Sequence, residues 1–186
     1  EIVANAMADG FLPEYELVGV LDRNPEEAKG FAERFGCKAC TDIDDLMALQ
    51  PEYTAEAASV QAIRDFAETI LKGGSNLVVL SIGAFADREF YDHIKDVAVQ
   101  HRRRVYIASG AVGGFDVLRS AALMGPITAS IGAQKAPASL KNTPLFTDQL
   151  MEITQPQQVF TGTTKEAIGL LPTKVNVAIA TALASA

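Results

Sequence analysis

The chain has 186 residues, 48% of them hydrophobic and 21% charged: enough for one core, or one domain with part of a second, and too apolar for disorder. A net charge of -7 argues against broad attraction to nucleic acid or an anionic membrane, and the short basic run His101-Arg102-Arg103-Arg104 falls where a helix hands over to a strand. With two cysteines, no apolar run of about 18 residues and no basic-then-apolar leader, the expectation is a soluble cytoplasmic protein.

Ile2, Val3, Ala6 and Met7 repeat at helical spacing and stop near Gly10, so the fold is expected to be entered partway through. Residues 15–21 read as a strand. Asn24-Pro25-Glu26-Glu27 opens a helix, with Asn as cap, Pro in the first turn and acids facing the dipole, and this helix ends at Gly36. A brief strand over 37–41 precedes a helix from Asp42. Residues 53–57 read as strand, 60–72 as helix and 76–81 as a continuous apolar strand buried on both faces. A helix over 87–100 and a strand over 104–108 complete the series. Strands alternating with helices of about 10–15 residues mean βαβ units and a parallel, doubly wound α/β sheet of the Rossmann type.

Beyond Gly110 the rhythm changes. Gly113-Gly114 leads into a helix through Leu123, and 127–134 alternates like a half-exposed strand. Pro137, Pro144 and Pro156 divide the next stretch, 158–160 reads as a strand, 164–171 as a helix and 175–184 as an apolar helix. The organisation expected is a dinucleotide-binding domain over 1–110 and a smaller α/β catalytic domain over 111–186, each incomplete at its outer end.

A doubly wound sheet binds ligands at the carboxyl ends of its strands. Asp22 stands at one such end, where a carboxylate accepts hydrogen bonds from adenosine ribose hydroxyls; it also reads as part of a polar turn before a capped helix. Ala58-Ser59, Ser81-Ile-Gly83-Ala84 and Ser109-Gly110-Ala111 follow later strands. The last two leave room for a flat ring, with glycine permitting a close approach, although tight βα turns favour small residues anyway. Asn176 is an uncharged polar residue in an apolar stretch. Its amide either caps a neighbouring loop or offers a donor and an acceptor to a carboxamide ligand. Cys37 and Cys40 have redox-motif spacing but sit after a helix stop, and a zinc site needs two further ligands, so both read as structural thiols and no metal is expected. His93 and His101 belong to a flanking helix and read as surface residues.

These strand ends carry a resemblance. Pro51-Glu-Tyr-Thr-Ala-Glu-Ala-Ala-Ser59, Leu77-Val-Val-Leu-Ser-Ile-Gly-Ala-Phe-Ala-Asp87 and Val105-Tyr-Ile-Ala-Ser-Gly-Ala-Val-Gly-Gly114 resemble the L-aspartate dehydrogenase family. So do Phe160-Thr-Gly162, Glu166-Ala-Ile168 and Leu171-Pro-Thr-Lys-Val-Asn-Val-Ala178, and their order extends the match over essentially the whole chain. The resemblance implies NAD or NADP as cofactor and oxidative deamination of L-aspartate to iminoaspartate, which hydrolyses to oxaloacetate and ammonia and serves NAD biosynthesis. It implies a homodimer formed through the second domain. Ala111 and Asn176 match family positions that contact the dinucleotide. The glycine-rich turn that holds the pyrophosphate has no counterpart before Glu1, and the family's catalytic histidine has none in this sequence.

The expected roles are therefore Asp22 at the ribose, Ser81, Gly83, Ala84, Ser109, Gly110 and Ala111 as the floor under the dinucleotide, and Asn176 at the nicotinamide end. Lys135, Lys141 and Lys174 are the candidate cations for a dicarboxylate substrate. The alternatives are a related two-domain reductase of the homoserine or dihydrodipicolinate type, and a non-catalytic dinucleotide-binding module.

Overall fold

Short polar side chains set the helix starts in the first half of the chain. Asn24 Oδ1 accepts from Glu26 N–H at 3.1 Å ahead of α2 (Pro25–Phe35), and Gly36 ends that helix at φ 70°. Asp42 Oδ1 accepts from Asp45 N–H at 2.8 Å ahead of α3 (Ile43–Met47), and Ser59 Oγ accepts from Ala62 N–H at 3.1 Å ahead of α4 (Val60–Lys72). The computed structural model describes residues 1–110, 112–171 and 175–186. They divide into two compact units, one of Glu1–Val79 with Asp92–Tyr106 and one of Leu80–Tyr91 with Ile107–Ala186.

The first unit opens with α1 (Ile2–Ala8), which packs on α2. Two strands, β1 (Gly19–Val20) and β2 (Lys38–Ala39), pair in parallel, with Gly19 opposite Lys38. Gly19 lets α3 approach closely: a Cβ there would lie 2.6 Å from Leu49 Cδ1 and 3.1 Å from Leu46 Cδ1. A second sheet has the order β3 (Tyr53–Glu56), β4 (Asn76–Val79), β5 (Val105–Ile107). Tyr53 pairs with Asn76 and Glu56 with Val79, again in parallel. In a doubly wound sheet of order 3-2-1-4-5-6, these groups correspond to strands 3-2 and 4-5-6, and β1 and β3 are each paired on one side only among the described residues. The expected α/β architecture is present.

The core of this unit lies under one face of the three-stranded sheet. Ile63, Ala67 and Leu71 of α4 and Leu77 and Val79 of β4 are fully buried, joined by Ile94, Val97 and Ala98 from α5 (Arg88–Gln100). Asn76 and Val78, which alternate with them along β4, are only half-buried. This corrects the expectation that the strand is buried on both faces: one face is fully buried and the other only half-buried. That face carries Tyr53, whose ring centroid lies 6.1 Å from each of Tyr15 and Tyr106.

In the second unit α8 (Asn176–Ala184) is the hub. It buries Ile179, Ala180 and Thr181 and packs against the 3₁₀ helix Ile82–Ala86, α6 (Phe115–Met124) and α7 (Thr164–Leu170). The Thr181 hydroxyl, buried among apolar groups, donates back to Val177 O at 2.8 Å. Leu140 and Leu150 are buried from the 3₁₀ turns Pro137–Leu140 and Asp148–Met151. The strands expected over 127–134 and 158–160 are not formed. Alternation alone does not make a strand; the backbone needs a partner for its ladder, and no described segment supplies one there. Elsewhere the strands are shorter than their apolar runs for the same reason: Lys38 and Cys40 N–H donate to Val18 and Val20 O, and the β1–β2 ladder extends no further.

Candidate functional site

Asp22 follows β1. Its Oδ1 accepts from Asn24 N–H at 2.8 Å, shaping the turn into α2, while the carboxylate remains exposed at the carboxyl end of the strand. At the end of β3, Glu56 is buried with Oε1 accepting from Ala58 N–H at 2.7 Å, and Ser59 serves as the cap of α4.

The second unit contains a cleft of about 240 Å³. Leu80 and Ile82 form one wall, Ala108, Ser109 and Gly110 a second, and Asn176, Val177 and Ala180 of α8 a third. Thus the structure brings together three of the expected residues, Ser109, Gly110 and Asn176. Ser81, Gly83 and Ala84 do not line the cleft. The segment after β4 turns into a 3₁₀ helix, which buries Gly83 and Ala84 and leaves Ser81 half-exposed with its carbonyl accepting from Ala84 N–H at 3.1 Å. The floor is therefore made by the apolar neighbours Leu80 and Ile82. Gly110 needs its freedom for φ 60°, not for space: a Cβ there would meet nothing within 4 Å. Ala111 and Lys174 lie outside the described residues.

Asn176 is the first residue of α8, and its amide is engaged on both atoms. Oδ1 accepts from Gly83 N–H at 2.7 Å, and Nδ2 donates to Leu80 O at 3.3 Å. The loop-capping role is thus realised, with one donor and one lone pair of the amide remaining. Val177 and Ala180 were not anticipated. Their signal is helical spacing: Asn176 and Ala180 are four apart, so one helix face projects all three side chains to one side.

Among the described residues the lining carries no ionisable side chain, which suits a flat, largely apolar group with one hydrogen-bonding edge. Lys135 and Lys141 are exposed on either side of the turn Pro137–Leu140, and neither lines the cleft. His93 is also elsewhere. Its ring bonds Glu68 Oε2 at 2.8 Å on the surface of the first unit, where Lys72 and His93 together pull the Glu68 carboxyl down to about 2. Burial pushes both Cys37 and Cys40 thiols up, the opposite of a reactive cysteine. Among the described residues no cluster of side chains suits a metal ion, and no helix is long and apolar enough to cross a membrane.

The chain is similar to known proteins along its length. Residues 2–108 match the family model of the homoserine dehydrogenase NAD-binding domain, and residues 116–186 match that of the aspartate dehydrogenase C-terminal region. An L-aspartate dehydrogenase of Methanococcus maripaludis is 32% identical over 99% of this chain and 69% of its own length. That of Methanocaldococcus jannaschii is 31% identical over 98% and 69%. One from Archaeoglobus fulgidus is 43% identical across 58% of this chain and 42% of its own. The crystal structure of aspartate dehydrogenase from Thermotoga maritima superposes with a TM-score of 0.53 at 29% identity, covering 70% of this chain; the chain spans 52% of that structure. A dinucleotide-type sheet followed by a region of aspartate dehydrogenase type, with identity running from end to end, leaves one conclusion: this chain belongs to the L-aspartate dehydrogenase family of NAD(P)-dependent oxidoreductases.

Proposed function

We propose that the protein oxidises L-aspartate with NAD or NADP, and that the cleft beside Asn176 takes the nicotinamide end. The observation that carries this is the lining itself. Among the described residues, three walls without an ionisable group surround the Asn176 carboxamide, in a chain whose relatives are named L-aspartate dehydrogenase along nearly its whole length. Small residues at the end of β5 leave room for a flat ring, and Leu80, Ile82, Val177 and Ala180 exclude water from its face. When bound, the nicotinamide supplies a two-electron acceptor at C4 for the hydride on the substrate Cα. As that C–H bond breaks and the amine loses a proton, the Cα–N double bond of iminoaspartate forms; water then adds and ammonia leaves, giving oxaloacetate. Asp22 would hold the ribose hydroxyls. Its charge opposes a 2′-phosphate, with Arg23 beside it. No described residue of the cleft is assigned the proton transfer, and Lys135, Lys141 and Lys174 remain the candidates for the substrate carboxylates.

Residues 1–110 are taken as the dinucleotide-binding domain and 111–186 as part of the catalytic domain, with the product serving NAD biosynthesis in the cytoplasm. A homodimer formed through the second domain is supported by α6, which buries no side chain and exposes Val117, Leu123 and Met124 at 68%, 81% and 90%. Fluorescence titration with NADH, alongside aspartate-dependent reduction of NAD and of NADP, tests the central reading in the full-length protein. Saturable binding with turnover of aspartate is the expected result. Turnover of homoserine or dihydrodipicolinate in its place would reassign the substrate, and tight binding without turnover would make the protein a dinucleotide sensor.

A further inference from the structure

Resting on the reading of this chain as a dinucleotide enzyme, we infer that Glu56 is a positioning residue, setting the turn over residues 57–59 on which the cofactor lies. In a doubly wound sheet the dinucleotide crosses the carboxyl ends of the strands at the point where the strand order reverses. In the order 3-2-1-4-5-6 the strand on the far side of that reversal is β3, and Glu56 is its last residue. The next three residues, Ala57, Ala58 and Ser59, are exposed and carry short side chains. Glu56 is only 8% exposed, on the same side of β3 as Thr54, whose hydroxyl meets Ser75 Oγ at 2.8 Å.

The buried carboxylate holds this turn from within. Its Oε1 accepts from Ala58 N–H at 2.7 Å, and one residue further on Ser59 Oγ accepts from Ala62 N–H at 3.1 Å to start α4. The turn is thus pinned at Ala58 by Glu56 and at Ser59 by the helix that it begins. A carboxylate open to the crevice would oppose an anionic dinucleotide. Buried, it supplies a strong, charge-assisted bond and leaves short side chains on the exposed side of the turn.

The test uses Glu56→Met, which fills a similar volume without an acceptor, and Glu56→Gln, which keeps one, in the full-length protein. The Kd for NADH is measured by fluorescence titration and the KM for aspartate at saturating cofactor. A positioning role predicts that Glu56→Met raises the Kd for NADH about tenfold and leaves the aspartate KM near wild type, while Glu56→Gln recovers most of the loss. An unchanged Kd in folded Glu56→Met would overturn the proposal. So would a rise in both constants together, the mark of a merely structural residue. Amide exchange at Ala58 in the wild type serves where Glu56→Met does not fold: bound NADH should slow it, and an unaffected rate would overturn the proposal. A wild type that bound no NADH would overturn the dinucleotide reading itself and this role with it, whereas a wild type that binds while Glu56→Met binds equally well overturns this role alone.

Discussion

The two units are held together over different distances. In the first, the starts of α2, α3 and α4 are capped by residues adjoining them, Asn24, Asp42 and Ser59, and a parallel ladder with a row of fully buried side chains does the rest. In the second, α7 keeps a local capping box between Thr163 and Glu166, whereas Gly83 N–H of the 3₁₀ helix beside the cleft donates to the distant Asn176, and α6 and α7 bury no side chain. Where local bonds and burial agree, structure follows from neighbouring residues. Where a bond reaches across 93 residues, as from Gly83 N–H to Asn176, structure depends on residues that only folding brings together.

The sharpest way to break this contrast is to truncate side chains in each unit. Leu77→Ala, at a fully buried strand position, should cost about 2–5 kcal/mol in denaturant unfolding, whereas Leu123→Ala on the exposed side of α6 should stay within about 0.5 kcal/mol. A cost at Leu123 that rises with protein concentration would show α6 to be buried in an assembly.

A smaller effect compares the local caps. Ser59→Ala and Thr163→Ala should each cost about 1 kcal/mol, read as faster amide exchange in the first turn of α4 or α7. Equal losses would show that α7 relies on local bonds as α4 does. A negligible loss at Thr163 would place α7 under tertiary control.

The smallest effect is electrostatic and confined to the first unit. Lys72 and then His93 hold the Glu68 carboxyl down to about 2, below its unfolded value. A depressed carboxylate adds stability above the unfolded pKa and loses it as pH falls through the folded one, here between about 4.5 and about 2. Because the Glu68 side chain is 41% exposed, screening reduces this to a few tenths of a kcal/mol. Glu68→Gln should flatten the acid limb of a stability–pH curve by that amount; an unaltered limb would mean that solvent screens the cluster completely.

From sequence, α4 was readable at both ends, since Ser59 precedes its apolar face and Gly73-Gly74 stops it. The second unit was less readable. The alternation over 127–134 is that of a strand, and only the absence of a pairing partner among the described residues shows otherwise. At the site, Ser109, Gly110 and Asn176 were visible as small or polar residues at element ends. Leu80, Ile82, Val177 and Ala180 were not, because an apolar side chain that lines a cleft looks like one that fills a core until its surroundings are known.

The sequence by itself determined the βαβ rhythm, the helix caps and the family, all carried by interactions or patterns among near neighbours along the chain. The tertiary structure alone decided that β4 is fully buried on one face and half-buried on the other, that Gly83 and Ala84 turn inward, and that Asn176 bonds the main chain at Leu80 and Gly83. Each of these depends on a partner brought close by folding, and nothing local to either residue records its presence.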